Sequence, residues 1–330
     1  MNTLTVPAGK QTKSPARSLT PRTRLFAEAA VILYITAVAA LARYSGIPYL
    51  LFPELGALAY DVLLRPWGKW ASQPVRLILT PALTALLGTI VTRHLPFNGL
   101  TVVLVSVLSA AVITVLRSTI VPAMSAGVLP LVLGLKSWLY PPSILLTLTA
   151  LAVISILWRK YHDADPAAAG TAPDVEDVLE SVPHGRFWSL ILIAFVFVMA
   201  EAARLTGLRL IIFPPLVTMA FEMFGHHETC PWSKRPLTLP AMCLVVSLGG
   251  LLAFHFVGNG IAFAVIAVII GIVALRSFDL HIPPAMAVGL LPSVIAFPTI
   301  KFPLAVLLGT SALTVSFLAY QRLARGSAKI

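Results

Sequence analysis

Leu51-Phe52-Pro53 recurs in the second half of the chain as Ile212-Phe213-Pro214, 161 positions later. Four further motifs recur at offsets between 159 and 162 positions: Ala59-Tyr60-Asp61 as Ala220-Phe221-Glu222, Asn98-Gly99 as Asn259-Gly260, Leu116-Arg117-Ser118 as Leu275-Arg276-Ser277, and Pro122-Ala123-Met124 as Pro284-Ala285-Met286. Apolar composition alone would not keep proline, glycine, arginine and acidic residues in register. The chain therefore contains two copies of one unit, and duplicated bundles commonly place a transport site between the copies.

The composition of the chain is that of an integral membrane protein. The mean hydropathy is +0.90, 58% of the residues are hydrophobic and only 11% are charged. A chain of this composition exposes much of its apolar surface to lipid rather than burying it in a soluble core. We therefore predict that the lipid bilayer is its principal partner.

Each half contains six apolar segments, and their lengths favour helices over strands. The segments cover 25–42, 49–64, 75–92, 99–116, 120–135 and 140–158 in the first half, and 187–203, 208–224, 237–256, 260–275, 282–297 and 302–320 in the second. A full crossing requires about 20 residues, so some segments must be tilted, bent or incomplete. The predicted fold is an all-α, polytopic transmembrane helical bundle of two repeats with about six short helices each.

The distribution of lysine and arginine predicts the topology. If all twelve segments cross, 18 of these residues lie on the side of the N-terminus and 6 on the opposite side. If the second and fifth segments of each half only dip into the membrane, the count is 12 against 12. Positive residues concentrate on the cytoplasmic side, which favours the first arrangement. It predicts parallel, pseudo-symmetric repeats in the cell inner (plasma) membrane, with both termini cytoplasmic.

This topology divides the chain into five parts. Residues 1–24 are expected to form a disordered, basic cytoplasmic tail that is retained, because no small-residue cleavage site follows the first apolar segment. The membrane repeats cover 25–158 and 187–320, and a second cytoplasmic tail covers 321–330. The connector 159–186 holds six acidic residues among Ala, Pro and Gly. It is expected to be a solvated hinge, with a regulatory contact as the alternative.

Several functional classes lack support in the sequence. The net charge of +11 is spread one or two residues at a time between apolar segments, which argues against nucleic-acid binding. Cys230 and Cys243 have no metal-ligand spacing and are expected to be free thiols. The sequence contains no recognisable nucleotide loop, metal cluster or catalytic set of residues. We therefore expect neither an enzyme, a lipid-modifying one included, nor a cofactor or metal site.

Prolines begin the second and fifth segments of both halves: Pro53 and Pro122 in the first, Pro214 and Pro284 in the second. Short, interrupted segments at matching places in two repeats are the best sequence indication of a transporter site. A helix that starts inside the membrane leaves N–H groups and the positive end of its dipole free for an anion. The alternative is that these prolines only start or kink spanning helices that pack through small residues.

Ionisable residues near these segments complete the predicted site. Arg117 and Arg276 share one repeat position and either neutralise an anion or act as cytoplasmic anchors. Asp61 and Glu222 share another; they either pair with an arginine, carry a proton or mark a helix end. Glu54 is favourable at a helix N-terminus even without a ligand. The predicted substrate-binding residues are Arg117, Arg276, Pro53, Glu54, Pro122, Ser125, Pro214, Pro284, Asp61 and Glu222.

The order of motifs resembles the HPP family of small integral membrane proteins, in a tandem-duplicated form. The resemblance covers both repeats and is carried by Gly56-Ala57, Ser72-Gln73-Pro74-Val75-Arg76, the apolar segment that ends at Arg117, and Pro283-Pro284-Ala285. The chain departs from the family at the histidine of the His-Pro-Pro motif that gives the family its name. This histidine aligns with Val121 or Ile120 in the first half and with Ile282 in the second. Some members resemble or include nitrite transporters, so the resemblance implies a small, nitrite-like anion as substrate.

We therefore predict a membrane transporter or permease for a small anion, with its site at the interface of the two repeats. The sequence is also compatible with a homo-oligomer. The alternative function is a non-transporting membrane scaffold or sensor that binds partners through the acidic connector. Deleting residues 163–180 distinguishes the two, because a transporter keeps its flux and a scaffold loses its partner.

Overall fold

The computed structural model describes residues 19–162, 187–227, 230, 232 and 235–327. This part of the chain forms twelve α-helices and contains no β-strand, as the sequence predicts. The first six are α1 (Pro21–Ser45), α2 (Glu54–Leu64), α3 (Pro74–His94), α4 (Gly99–Val115), α5 (Ala123–Leu133) and α6 (Tyr140–His162). The second six are α7 (Phe187–Thr206), α8 (Pro214–Gly225), α9 (Thr238–Val257), α10 (Ile261–Phe278), α11 (Pro283–Leu290) and α12 (Lys301–Ser327).

Seven of the described helices are long and apolar enough to cross a membrane: α1, α3, α6, α7, α9, α10 and α12. Their outer faces carry large, exposed apolar side chains such as Leu33, Val153 and Phe256. In water these faces would be unfavourable, whereas in a bilayer they contact lipid. The described chain is therefore a multi-pass membrane helical bundle, which confirms the predicted class.

Four helices are too short to cross alone: α2 and α5 have 11 residues, α8 has 12 and α11 has 8. At 1.5 Å per residue they are roughly 12–18 Å long, against a hydrocarbon core of about 30 Å. Every residue of α2 and α11 is buried, as are all but the last residue of α5 and α8. The short helices therefore lie at the centre of the bundle, away from lipid.

The second and fifth segments are less helical than predicted, because proline sets the start of each short helix. Pro53 and Pro122 stand at the N-caps of α2 and α5, and Pro214 and Pro284 lie in the first turns of α8 and α11. Proline has no N–H to bond to a preceding turn, so the residues before it leave the α-helix. Consequently α2 begins at 54 instead of 49, and α8 at 214 instead of 208. Helix α5 is shortened at both ends, and α11 is shortened chiefly at its C-terminal end, where a 3-10 turn follows at Leu291–Ser293.

The second segment nevertheless runs the length of the bundle. The ring of Tyr49 lies 6.3 Å from the ring of Tyr140, which begins α6. Near the end of α6, the Nε1–H of Trp158 donates to the carbonyl of Leu63 at 3.1 Å. The chain from 49 to 63, part 3-10 turn and part helix, therefore lies beside α6 from its first residues to its last turns.

The fifth segment lies beside α3 in the same manner. Thr80 Oγ1, in the second turn of α3, donates to Ser118 Oγ at 2.9 Å. Arg93 Nη1, in the last turn, donates to the carbonyl of Lys136 at 2.5 Å. Residues 118–136 therefore extend from one end of α3 to the other, although only 11 of them form α5.

Paired glycines let the short helices approach their long neighbours. A Cβ atom at Gly88 of α3 would overlap the backbone carbonyl of Gly127 in α5. A Cβ atom at Gly250 of α9 would likewise overlap the carbonyl of Gly289 in α11. Van der Waals contact between backbones is a principal source of helix association in lipid, where no hydrophobic drive remains. The small residues near the prolines therefore have a packing role, as the alternative interpretation expected.

The two halves of the chain pack through four main helix pairs: α1 with α10, α4 with α7, α2 with α11, and α5 with α8. Helices α2 and α11 are antiparallel. His281, just before α11, lies beside Asp61 near the end of α2, whereas Ser293, after α11, lies 3.5 Å from the carbonyl of Leu51.

Several ends differ from the predicted boundaries. Helix α1 begins at Pro21, where the Thr20 hydroxyl accepts from the N–H of Thr23 at 3.3 Å, so the last four residues of the predicted tail 1–24 are helical. Helix α6 extends to His162 and α12 to Ser327. The predictions for 1–18, for 163–186 and for 328–330 concern residues outside the described part.

Candidate functional site

Asp61 is a fully buried carboxylate in the C-terminal half of α2. Its Oδ1 accepts a hydrogen bond from Arg65 Nη1 at 2.9 Å, and His281 Nε2 lies at the same distance. Its Oδ2 has no hydrogen-bond partner among the described residues. One carboxylate therefore joins the end of α2, the arginine that follows it and the start of α11 in the other half of the chain.

His281 is held from two directions. Besides its contact with Asp61, its ring stacks on Tyr60, with the ring centroids 5.7 Å apart and the planes at 29°. Its side chain is 21% exposed, against 1% for Asp61. The imidazole therefore lies between the buried carboxylate and the surface of the bundle.

Glu222 brings a second carboxyl to the same place. It lies in the last turn of α8, is 4% exposed and is within electrostatic range of Asp61. The two acids that share a repeat position in the sequence thus lie within electrostatic range of each other. We call Asp61, Glu222, Arg65 and His281 the central cluster.

Glu54 is a separate buried acid at the opposite end of α2. It is 2% exposed, and neither carboxyl oxygen has a hydrogen-bond partner within the described chain. The nearby Tyr140 is within electrostatic range, but its hydroxyl donates to the carbonyl of Ala126 at 3.0 Å. The positive end of the α2 dipole favours an acid here, yet burial without a partner is costly.

Ser125 and Pro214 lie at the contact between α5 and α8. Ser125 Oγ lies 2.9 Å from the carbonyl of Pro214, to which it donates, and 2.7 Å from Thr218 Oγ1. This hydroxyl joins α5 to α8. Pro53, Pro122, Pro214 and Pro284 are all buried.

The structure does not bring Arg117 and Arg276 into the central cluster. Arg117 is exposed after the end of α4, with a left-handed backbone φ of 48°. Arg276 Nε donates to Glu28 Oε1 at 2.9 Å, and its Nη2 also contacts Glu28. Glu28, which is buried near the start of α1, therefore pairs with Arg276, and its Oε1 also accepts from Arg24 Nε at 3.3 Å.

Sequence reasoning missed Glu28, Arg65 and His281 as participants. The role of Arg65 could have been predicted, since an arginine four residues after an aspartate pairs with that aspartate on a helix. The role of Glu28 could also have been predicted, because an isolated acid in a spanning helix usually has a function or a partner. The partner of His281 could not be predicted from the sequence, because it lies 220 positions away.

The cluster combines two acids, an arginine and a histidine, and the two acids and the arginine are buried. Comparisons with protein-family models, curated proteins and solved structures find no match to this chain. Among the described residues no group of three or more His, Cys, Asp or Glu side chains is placed to hold a metal ion.

Proposed function

We propose that the chain is a membrane permease that moves a small anion together with protons through the central cluster. The observation that carries this proposal is the meeting of Asp61, Glu222 and His281 at the contact of interrupted helices from both halves. Buried acids inside a membrane protein are costly and commonly mark ion pathways and proton relays. Interrupted helices at the interface of two repeats are a common frame of such pathways.

The proposal includes twelve crossings in two parallel, pseudo-symmetric repeats with cytoplasmic termini. It is supported by the second and fifth segments of the first half, which extend beside α6 and α3 over their full lengths. It is also supported by reciprocal packing between the halves. The first helix of each half packs against the fourth helix of the other (α1 with α10, α7 with α4), and the second packs against the fifth (α2 with α11, α8 with α5). A pseudo-two-fold axis along the membrane normal would generate this pattern, with Asp61 and Glu222 beside it.

Protonation provides the coupling. With both acids ionised, the charge of the central cluster is neutral or negative, and an anion is repelled. When Asp61 and Glu222 take up protons, Arg65 keeps its charge because guanidinium does not deprotonate in proteins. The cluster then becomes positive and attracts the anion. We place the positive partner of the anion at Arg65 rather than at Arg117 or Arg276, because only Arg65 lies in the cluster.

The anion itself is proposed from the resemblance to the HPP family, which implies a nitrite-like substrate. The test is uptake of nitrite and nitrate into proteoliposomes, with and without an external medium more acidic than the lumen. Acid outside should stimulate uptake, and Asp61→Asn and Glu222→Gln should each reduce it by about tenfold or more. Asp279→Asn, at an exposed position after α10, is the matched control and should transport normally. Equal uptake by folded Asp61→Asn would refute the proposal.

A further inference from the structure

A second region of interest lies where α1 ends and α10 begins, at the opposite end of the α2–α11 pair from Asp61. A cavity of about 260 Å³ opens there. It is lined by Ala39, Ala42, Arg43, Gly46, Asn259 and Gly260, with Leu51 and Ser293 at its base. Arg43 is exposed and makes no hydrogen bond or ion pair in the part of the chain that the structure describes.

The N-terminus of α10 in this cavity has no side-chain cap. Gly260 stands at the N-cap, and no side chain accepts from the first-turn N–H groups. The preceding Asn259 is turned away, since its Nδ2 donates to the carbonyl of Ser293 at 2.9 Å. The helix has 18 residues, so its free N–H groups and positive dipole end attract negative charge.

The corresponding place in the other half of the chain is occupied by a carboxylate of the protein itself. At the start of α4, the N–H of Gly99 donates to Glu201 Oε1 at 2.6 Å. The other oxygen of Glu201 accepts from Arg204 Nε, also at 2.6 Å. A helix N-terminus and an arginine thus hold one carboxylate between them, where α7 ends.

The two places correspond residue by residue. Gly46 and Gly207, which follow α1 and α7, both adopt left-handed backbones with φ of 71° and 72°. The residue before each glycine has a hydroxyl that accepts a hydrogen bond from the backbone N–H of the residue after the glycine. Ser45 accepts from Ile47 and Thr206 accepts from Leu208, both at 3.3 Å. At the same offset of 161 positions, Arg43 matches Arg204, Gly260 matches Gly99, and Ala40 stands where the other half has Glu201.

The free volume beside Gly99 and beside Gly260 differs as the exchange of Glu201 for Ala40 would predict. A Cβ atom at Gly99 would meet Glu201 Cγ and Oε1, both at 2.9 Å, because the carboxylate fills the site. A Cβ atom at Gly260 would meet only the Nη1 of Arg43, at 3.7 Å. The arginine and the helix N-terminus are therefore present around Gly260, whereas the volume that Glu201 occupies in the other half is open.

We propose that this cavity binds a small monovalent carboxylate, or an oxyanion of similar shape such as nitrite. One oxygen accepts from the N–H of Gly260 and the other from the guanidinium of Arg43, as Glu201 does with Gly99 and Arg204. Binding itself does not depend on transport. The role of the site as the first stop of a transported anion, before the central cluster, rests on the proposed function.

The test measures thermal unfolding of the detergent-solubilised protein during titration with formate, at ionic strength held constant with chloride. The wild-type protein should be stabilised in a saturable manner. Arg43→Gln should raise the half-maximal formate concentration by about tenfold or more, because a charge-assisted hydrogen bond to the carboxylate is lost. Ala40→Glu should rebuild the internal carboxylate, raise the melting temperature and abolish the response to formate. Arg209→Gln, which removes an arginine stacked on Phe97, is the control and should respond as the wild type does.

Three results would overturn this assignment: no response to formate beyond that to chloride, an unchanged response in folded Arg43→Gln, or a response to phosphatidylglycerol alone, which would indicate a lipid headgroup. Asp61→Asn separates this inference from the proposed function. That variant should bind formate normally while losing flux. Formate binding without any transport would refute the permease alone, whereas transport that depends on Asp61 without formate binding would refute this site alone.

Discussion

The imidazole Nε2 of His281 and the carboxylate Oδ1 of Asp61 lie 2.9 Å apart, although 220 positions separate them in the chain. This contact joins α11 of the second half to α2 of the first. The same helices meet again at their other ends through Ser293 and Leu51. The two buried helices are thus fixed to one another at both ends, and the ionisable contact lies at one of them.

The first prediction concerns the stability of the central cluster. Asp61→Asn should lower the free energy of unfolding in detergent by about 3 kcal/mol, because the buried ion pair of Asp61 with Arg65 is broken. His281→Gln should cost about 1 kcal/mol, since a more exposed hydrogen bond is lost. The double variant should show a coupling energy above about 0.5 kcal/mol. Strict additivity would contradict the contact.

The second prediction concerns the glycine crossing of α3 and α5. Gly88→Ala places a methyl group against the backbone carbonyl of Gly127, which cannot move as a flexible side chain would. We expect a loss of roughly 1–3 kcal/mol or more, seen as a lower melting temperature. Ile90→Ala, on an exposed part of the same helix, is the control and should change stability little. Equal effects of the two substitutions would rule out the close approach.

The third prediction separates the structural role of Arg276 from an anion-binding role. Because Arg276 pairs with buried Glu28, Glu28→Gln and Arg276→Gln should destabilise the protein by similar amounts, about 1.5–3 kcal/mol. Any loss of transport by Arg276→Gln should then be matched by Glu28→Gln. If Arg276→Gln abolishes transport at full stability while Glu28→Gln transports normally, Arg276 binds the anion as the sequence suggested.

The fourth prediction uses the contrast between two buried acids. Glu54 has no hydrogen-bond partner in the described chain, so Glu54→Gln removes a poorly compensated group and should leave stability unchanged or raise it by up to about 1 kcal/mol. Glu28→Gln, which breaks an ion pair, should do the opposite. If Glu54 carries protons along α2, Glu54→Gln should also slow acid-driven uptake by about tenfold. A clear loss of stability would show that Glu54 has a structural partner.

Local chemistry allowed much of the fold to be predicted. Apolar runs gave the number and approximate ends of the helices, and Pro53, Pro122, Pro214 and Pro284 gave the starts of the short ones, because missing N–H groups act within one turn. The predicted second and fifth segments were too long, since apolar composition does not distinguish a helix from a 3-10 turn such as Pro48–Leu50.

The candidate site was less predictable because it depends on packing between the halves. The repeat placed Asp61 and Glu222 at equivalent positions, which hinted that they meet near a common axis. The partner of Asp61, His281, follows only from the antiparallel packing of α2 and α11, which no local pattern encodes. Arg276 was assigned to the site for its charge, whereas its partner Glu28 lies 248 positions away in α1.

The most direct test of the central claim is whether anion and proton move together. Proteoliposomes that contain a pH-sensitive dye should acidify when an inward nitrate gradient is imposed, and protein-free liposomes give the background. Wild-type protein should acidify the lumen, and folded Asp61→Asn/Glu222→Gln should not exceed the background. Nitrate uptake by the wild type without acidification, or equal acidification by the double variant, would contradict proton-coupled transport through the central cluster.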